Sequence, residues 1–418
     1  MLKASAAVSE TSAVEAGPSM FRNRNFLLLW GAAFLSSFGI SFFLFTQSWY
    51  VVHVLGLEAS LGVLYTAASI PRLVFMIVSG TVADRFSRTK LMFLSDFTRG
   101  VLLTGLVFWF LFGDISLWTF VGFAFAFGIL DAFFWAAEGA VLPSIISRDQ
   151  LTRGNSIIQM TNQTSFILAP MAAGVIISLG SYALVFTVTA VMLFTGSLFI
   201  YLMKVAEEKE TEGEEEAFWD AFKEGVRYVR NSRMLTLIIG MSILLNLFMV
   251  GPMTMGLPLF VKQRLNGTAL DFSFLEAGLA GGMLLGAVLL GILNLKKRRG
   301  RTSLLALVFA GGAFFALSFT EELWLSLGCL VVFGFFLSVC NIPVLAVLQS
   351  FIEDKMMGRV MGLVSLASMG LVPVSYAVTS VILAAGVPIH QIMAWGSVLV
   401  TLYVLFVYLR FKELRELD

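Results

Sequence analysis

Charged residues inside apolar segments are the parts of this sequence best suited to chemistry. They are Arg72, Asp96, Arg99, Asp131, Glu138 and Glu276. At the centre of a lipid bilayer a charge costs about 2.5–3.5 kcal/mol on insertion scales, so each of these residues requires a partner or a function. Side chains of this kind form ion pairs between helices, carry protons or bind charged ligands.

The spacing of Asp131 and Glu138 suits proton transfer. On a helix, seven residues make nearly two turns, so both carboxylates share one face about 10 Å apart. Two acids cannot neutralise each other, and we expect at least one of them to take up and release a proton. In the alternative, each pairs with a basic residue of a neighbouring helix, for instance Asp131 with Arg72, and such a pair opens on protonation. The proton-coupling candidates are therefore Asp131, Glu138 and Arg72.

Two further groups are predicted to have other roles. Asp96 and Arg99 stand three residues apart, so they share a helix face and are expected to form a structural ion pair. Glu276 lies about one turn inside the end of its apolar run, where water is close, and a functional role stays open for it.

The composition requires a membrane protein. The chain has 418 residues, of which 58% are hydrophobic and 13% charged, and its mean hydropathy is +0.89. Soluble domains have about 45–50% apolar and about 25% charged residues. We therefore expect a protein with many membrane spans, whose first partner is the lipid bilayer.

The charge balance and the rare residues exclude several functions. The net charge is +1, which gives no positive field for nucleic acid. The two histidines lie far from the two cysteines, so neither a metal site nor a bound cofactor is expected. No phosphate-binding loop or nucleophile elbow occurs, which excludes ATP hydrolysis and disfavours an enzyme.

Twelve apolar stretches are long enough to span a bilayer as helices. They are 26–54, 60–80, 91–112, 117–140, 156–178, 182–204, 234–262, 273–294, 302–319, 323–345, 359–384 and 389–411. The predicted organisation is a disordered cytoplasmic tail (1–20), a six-helix half (21–204), a cytoplasmic acidic linker with an amphipathic helix (205–233) and a second six-helix half (234–418).

The distribution of basic residues predicts the orientation. Nearly all Lys and Arg residues outside the spans fall in the tails and in the loops on one side, whereas the opposite loops hold only Lys262 and Arg264. Under the positive-inside rule, both termini and the linker are cytoplasmic. The expected location is the cell membrane.

The two halves repeat each other. The basic loop from Gly80 to Lys90 returns as the basic segment from Gly291 to Arg301, at an offset of roughly 200–210 residues. The first copy resembles the G-x-x-x-D-R-x-G-R-[RK] loop signature of the major facilitator superfamily. Gly80, Asp84, Arg85, Arg88 and Lys90 occupy its places, and Ser87 stands where that pattern has glycine.

This resemblance implies an all-α membrane protein with the major facilitator fold, twelve transmembrane helices in two six-helix pseudo-repeats. Helices one, four, seven and ten surround a central cavity, and Asp84 approaches the eleventh helix near Arg359 as a cytoplasmic latch. Polar residues form the candidate cavity lining, with hydrogen bonding between helices as the alternative. They are Gln47, Gln159, Asn162, Gln163, Asn246 and Asn341.

Small residues predict close helix packing. Pro170 and Gly174 lie in a segment that resembles the G-P-x-x-G-G antiporter signature, with alanines at two glycine places. Gly278, Gly282 and Gly286 repeat at every fourth position, which lets a neighbouring helix approach closely.

The segments 218–235 and 348–360 are similar to the branch that contains macrolide and siderophore exporters. This similarity implies a monomeric secondary transporter that exports small amphipathic or apolar compounds, with a proton gradient as its energy source. A facilitator, an importer or a lysophospholipid flippase on the same fold is the alternative. A membrane-embedded sensor or enzyme is disfavoured.

Overall fold

The structure, a computed structural model, describes residues 20–113, 115–147, 150–205, 218–293 and 297–416. Within these ranges, the side chains of residues 77, 78, 80–85, 218–222, 354, 355, 358 and 413 lie outside the description. The described residues contain twelve helices long and apolar enough to cross a membrane. The prediction of an all-α protein with twelve spans is therefore confirmed.

The spans are numbered here in chain order. Spans 1 to 6 are Arg24–His53, Leu61–Arg85, Arg88–Phe112, Leu117–Val141, Leu151–Ser178 and Tyr182–Tyr201. Span 7 consists of Arg233–Leu245, Asn246–Val250, Gly251–Thr254 and Gly256–Gln263, and spans 8 to 10 are Ala269–Leu293, Arg299–Leu317 and Leu323–Phe351. Span 11 consists of Asp354–Met369 and Val372–Ala384, and span 12 is Ile389–Arg410.

Short polar residues start several of these helices. In five helices, the residue before the first turn accepts a hydrogen bond through its side chain from a backbone N–H two or three residues further on. These residues are Asn23, Ser87, Ser116, Ser181 and Ser232. Such caps satisfy backbone donors that the first helical turn leaves without partners. Each apolar run therefore begins its helix at a defined residue.

The linker helix, Phe218–Asn231, lies at one end of the bundle, which we call the linker side. It packs on the first part of span 11, where Arg359 forms an ion pair with Glu224 and Gly225 contacts Leu363. The backbone N–H of Glu353 donates to the hydroxyl of Tyr228 at 3.5 Å. The opposite end of the bundle is called the far side. The predicted acidic stretch before the helix and residues 1–19 of the predicted tail (1–20) lie outside the described residues, whereas Met20 is buried in the short helix Met20–Arg22.

Glycines allow close helix packing inside each half. In the first half, span 4 approaches span 2 so closely that a Cβ on Gly128 would lie 2.1 Å from the carbonyl oxygen of Ala68. In the second half, Gly278, Gly282 and Gly286 of span 8 face the side chains and backbone of span 10. The predicted glycine row thus packs within the second half, whereas Gly174 lies against Ser273 of span 8, across the boundary between halves.

Spans 7 and 11 are both interrupted near mid-length. Span 7 contains the π-helical turn Asn246–Val250, and span 11 breaks between Met369 and Val372. The hydroxyl of Ser375 on span 11 donates to the carbonyl of Leu247 at 2.6 Å and accepts from the N–H of Gly251 at 2.8 Å. The two interruptions are therefore hydrogen-bonded to each other.

The two halves meet at the far side. Among the described residues, the hydrogen bonds and ion pairs that join them all lie there; they link Val52 and Glu58 to Lys262, Glu58 to Gln263, Ala59 to Ser380 and Thr66 to Pro373. The rings of Phe45 and Phe272 also stack there, with 4.5 Å between centroids. Nearer the linker side, the segment Asp354–Met369 packs on the linker helix and on span 7. The described hydrogen bonds and ion pairs between the halves are therefore concentrated at the far side.

Candidate functional site

A charged network occupies the interior of the first half. The guanidinium of Arg99 on span 3 donates to Asp96 at 3.0 Å and to Asp131 on span 4 at 3.1 Å. Arg72 on span 2 contacts the other carboxylate oxygen of Asp131, with Nε and Oδ2 3.1 Å apart. Ser36 on span 1 donates to Asp96 at 3.0 Å. Two arginines and two aspartates sum to zero charge, which makes this network tolerable at membrane depth.

Aromatic packing on span 4 positions Arg99. Phe127 and Phe134 stand four residues before and three residues after Asp131, and the guanidinium carbon of Arg99 lies 5.9 Å and 5.5 Å from their ring centroids. The side chains of Asp96 and Arg99 are 0% exposed, whereas those of Arg72 and Asp131 are 38% and 14% exposed. The network therefore extends from a closed interior to an accessible surface.

The structure contains the predicted pair of Asp96 with Arg99 and the alternative pairing of Arg72 with Asp131. The contact between Arg99 and Asp131 was missed, because it joins residues on different spans. To predict this salt bridge, one would need to know how spans 3 and 4 are rotated toward each other.

Glu138 lies in a different environment. The residue is 5% exposed, and its Oε1 atom has no hydrogen-bond partner among the described residues. Two acidic groups, Asp96 and Asp131, lie near it. Burial of a carboxylate without a described partner is costly.

The predicted polar lining residues have several environments. Gln47 is buried, and its Oε1 atom has no partner among the described groups. Asn162 is buried and accepts from Ser37 at 2.6 Å, so it joins spans 5 and 1. Gln159 and Gln163, on the linker-side part of span 5, are exposed.

Asn246 and Asn341 line a cavity of about 560 Å³ within the second half. It extends from Leu348 and Leu414 near the linker side to Thr254 and Leu279 near the middle of the bundle. The lining is mostly aliphatic and includes Met241, Met249 and Met253. Methionines adapt to ligands of varied shape, and a volume of this size suits a small molecule.

The structure describes only part of the predicted signature loop. The side chains of Gly80, Asp84 and Arg85 lie outside the described groups, so the predicted latch from Asp84 to span 11 stays a prediction. Arg88 donates to the backbone carbonyl of Ala140 at 3.0 Å and so ties the start of span 3 to the end of span 4.

Two other members of the predicted set have described side chains. Lys90 is exposed, and Arg359 forms its described ion pair with Glu224 of the linker helix. Pro170 is buried within span 5, one turn from Gly174.

Two halves of six apolar helices, a cavity that reaches one end of the bundle and neutralised charges at membrane depth are the architecture of a solute transporter. The chain belongs to the Major Facilitator Superfamily, whose sequence profile matches residues 29–375. The family resemblance of the signature loop is thereby confirmed.

Curated relatives are named as exporters. Macrolide efflux protein A of Streptococcus pyogenes is 24% identical over 368 residues, which cover 84% of this chain and 86% of the relative. The enterobactin exporter EntS of Escherichia coli is 27% identical over 296 residues, or 69% of this chain and 68% of the relative.

Solved structures show the same fold at low identity. The nucleoside transporter NupG superposes with a TM-score of 0.74 at 13% identity, covering 92% of this chain and 99% of that one. A bacterial homolog of the lysosomal transporter Spinster, described as inward-facing and unoccupied, gives a TM-score of 0.66 at 14% identity, covering 94% and 96%.

Proposed function

We propose that this protein is a secondary transporter that exports small amphipathic or apolar compounds from the cytoplasm, in exchange for protons, by alternating access. The second-half cavity, which extends to the linker side, carries this proposal. A transporter that collects its substrate at one face must expose its binding cavity to that face, and the cavity of the second half reaches the linker side.

The orientation is part of the proposal. Basic residues concentrate on the linker side, so the positive-inside rule makes that side cytoplasmic. In this orientation the second-half cavity extends toward the cytoplasm, and the contacts between the halves at the far side close the outer face. The conformation described above is then the one that loads a substrate for export.

The chemistry of the cavity supports the substrate class. Its wall is aliphatic, with a few polar groups that include the amides of Asn246 and Asn341. Such a surface favours compounds with a large apolar body and few hydrogen-bonding groups. The names of the relatives, a macrolide efflux protein and an enterobactin exporter, agree with export of bulky organic molecules.

Proton coupling rests on Asp131 and Glu138. Asp131 forms ion pairs with both Arg72 and Arg99, so a proton that cancelled its charge would release both arginines and loosen spans 2, 3 and 4 from one another. Glu138 is the neighbouring carboxylate without a described partner, and it lies on the same helix face. We propose that a proton passes between these two groups and the cavity, and that its arrival on Asp131 favours the opposite conformation.

Everted membrane vesicles test this function. With an acidic interior, they should accumulate amphipathic dyes or macrolides, and nigericin, which dissipates the pH gradient, should abolish the accumulation. The control is the Asp131→Asn, Glu138→Gln double variant at equal abundance, in which gradient-driven accumulation should be lost while downhill exchange persists. Accumulation that does not depend on the pH gradient would reject proton antiport. Undiminished substrate-driven proton flux in the double variant would reject Asp131 and Glu138 as the coupling groups.

A further inference from the structure

Glu276 is a fourth acidic residue at membrane depth, and among the described residues it lacks the neutralising partners that Asp96 and Asp131 have. It lies on span 8 and is partly exposed. Among the described residues, no ion pair or hydrogen bond to its carboxylate occurs. The phenol of Tyr65 on span 2 lies close enough to interact with it electrostatically.

Aromatic rings from both halves lie near this position. Phe272, one turn before Glu276 on span 8, stacks on Phe45 and Trp49 of span 1 with centroid distances of 4.5 Å and 5.7 Å. The ring of Tyr65 lies 5.1 Å from that of Tyr376 on span 11. These five rings form the aromatic roof, which lies where the halves meet toward the far side.

The aromatic roof adjoins the inner end of the apolar cavity. Leu279 lines that cavity and follows Glu276 by three residues, a rise of about 4.5 Å along the helix. Thr254, which also lines it, lies beside the phenol of Tyr376. A molecule that fills the cavity from the linker side therefore ends near the carboxylate and the roof.

A carboxylate near aromatic rings, to which no described cationic side chain is bound, has the chemistry that recognises an organic cation. Aromatic rings attract cations through their quadrupoles, and this attraction strengthens when water is excluded. Asp131 offers no such site, because the two arginines that hold it would repel a positive ligand. The charged group of a cationic amphiphile would thus suit Glu276, and its apolar part would suit the second-half cavity.

We propose that Glu276 binds the positively charged group of amphipathic substrates, such as a protonated amine or a quaternary onium, beneath the aromatic roof, while the apolar part occupies the second-half cavity. This assignment rests on the proposed function in that it names the substrate class of the same transporter. It predicts that cationic amphiphiles are preferred over neutral molecules of equal size.

Equilibrium binding of tetraphenylphosphonium to the purified full-length protein in phosphatidylcholine nanodiscs tests the assignment. This probe keeps its charge at every pH, so changes in the protonation of the ligand cannot affect the measured affinity. Glu276→Gln should weaken binding by about tenfold or more, since it removes the charge and keeps the shape. Glu276→Asp should recover most of the affinity, and Asp271→Asn, which removes an acid from the same span outside the cavity, should bind like the unaltered protein.

Triphenylphosphine oxide, a neutral compound of similar bulk, separates charge recognition from damage to the cavity. Its binding should be equal in the Glu276→Gln variant and the unaltered protein. The proposal is overturned if the unaltered protein does not bind tetraphenylphosphonium, if Glu276→Gln binds it equally well, or if the variant loses both compounds in parallel. The binding assay in nanodiscs contains no pH gradient. Its result therefore does not depend on whether the protein carries out proton-driven export.

Discussion

Replacement of Arg99 by leucine is expected to be the most damaging single change in the charged network. Arg99 is fully buried and donates to Asp96 and Asp131 at 3.0 Å and 3.1 Å. Its removal leaves Asp96 with only the hydroxyl of Ser36 as a described donor, while Asp131 keeps Arg72. The loss of one partner from a buried pair costs about 3–5 kcal/mol, so the variant should unfold at a temperature lower by about 5 °C or more.

The Asp96→Asn, Arg99→Leu double variant is the matched control. The asparagine carries no charge, so it should recover a large part of the lost stability even though both members of the pair are gone. Asp131→Asn is the comparison, because Arg99 then keeps Asp96 and the partly exposed Arg72 can reach water. Its cost should be clearly smaller than that of Arg99→Leu.

Thermal unfolding of the purified proteins in detergent, followed by intrinsic tryptophan fluorescence, measures these differences. Retention of a monodisperse peak in size-exclusion chromatography provides an independent readout. The reasoning is refuted if Arg99→Leu melts with the unaltered protein, or if the added Asp96→Asn change destabilises it further.

Three other outcomes are expected. Cysteines introduced at positions 223–230 should be labelled from the cytoplasm and those at 264–271 from outside intact cells; the reverse pattern would contradict the orientation. Gly128→Val should prevent normal accumulation of the protein in the membrane, because a Cβ there would lie 2.1 Å from the carbonyl oxygen of Ala68, and unchanged yield and melting temperature would contradict the close packing. Glu138→Gln should reduce gradient-driven export more than downhill exchange in the vesicle assay, and equal effects on both would argue against a role in coupling.

The sequence predicted most accurately those features that depend on neighbouring residues. Length and apolarity alone define a membrane span, so the twelve helices were found, and the spacing of Asp96 and Arg99 defined an ion pair within one helix. Contacts between different spans were harder to predict from the sequence. The bond from Arg99 to Asp131 depends on how two helices are rotated around Phe127 and Phe134, which no local pattern encodes.

The second-half cavity was also beyond sequence reasoning. Asn246 and Asn341 were selected as polar residues within apolar spans, but their aliphatic surroundings come from several helices and have no common signal. The helix that packs on the glycine row could not be predicted from the sequence either. The spacing of Gly278 and Gly282 predicts a closely packed helix, but only the structure shows that this helix is span 10.

The hydrogen bonds of Ser375 give the second half a mechanical asymmetry. A π turn leaves backbone groups of span 7 without their usual helical partners, and a side chain of span 11 supplies the replacements. Bending span 7 alone would strand the carbonyl of Leu247 and the N–H of Gly251, at about 1–3 kcal/mol for each buried group. The far-side portions of spans 7 and 11 are therefore expected to move as one rigid unit about the hydrogen bonds of Ser375. A conformational change of the second half must move both portions together.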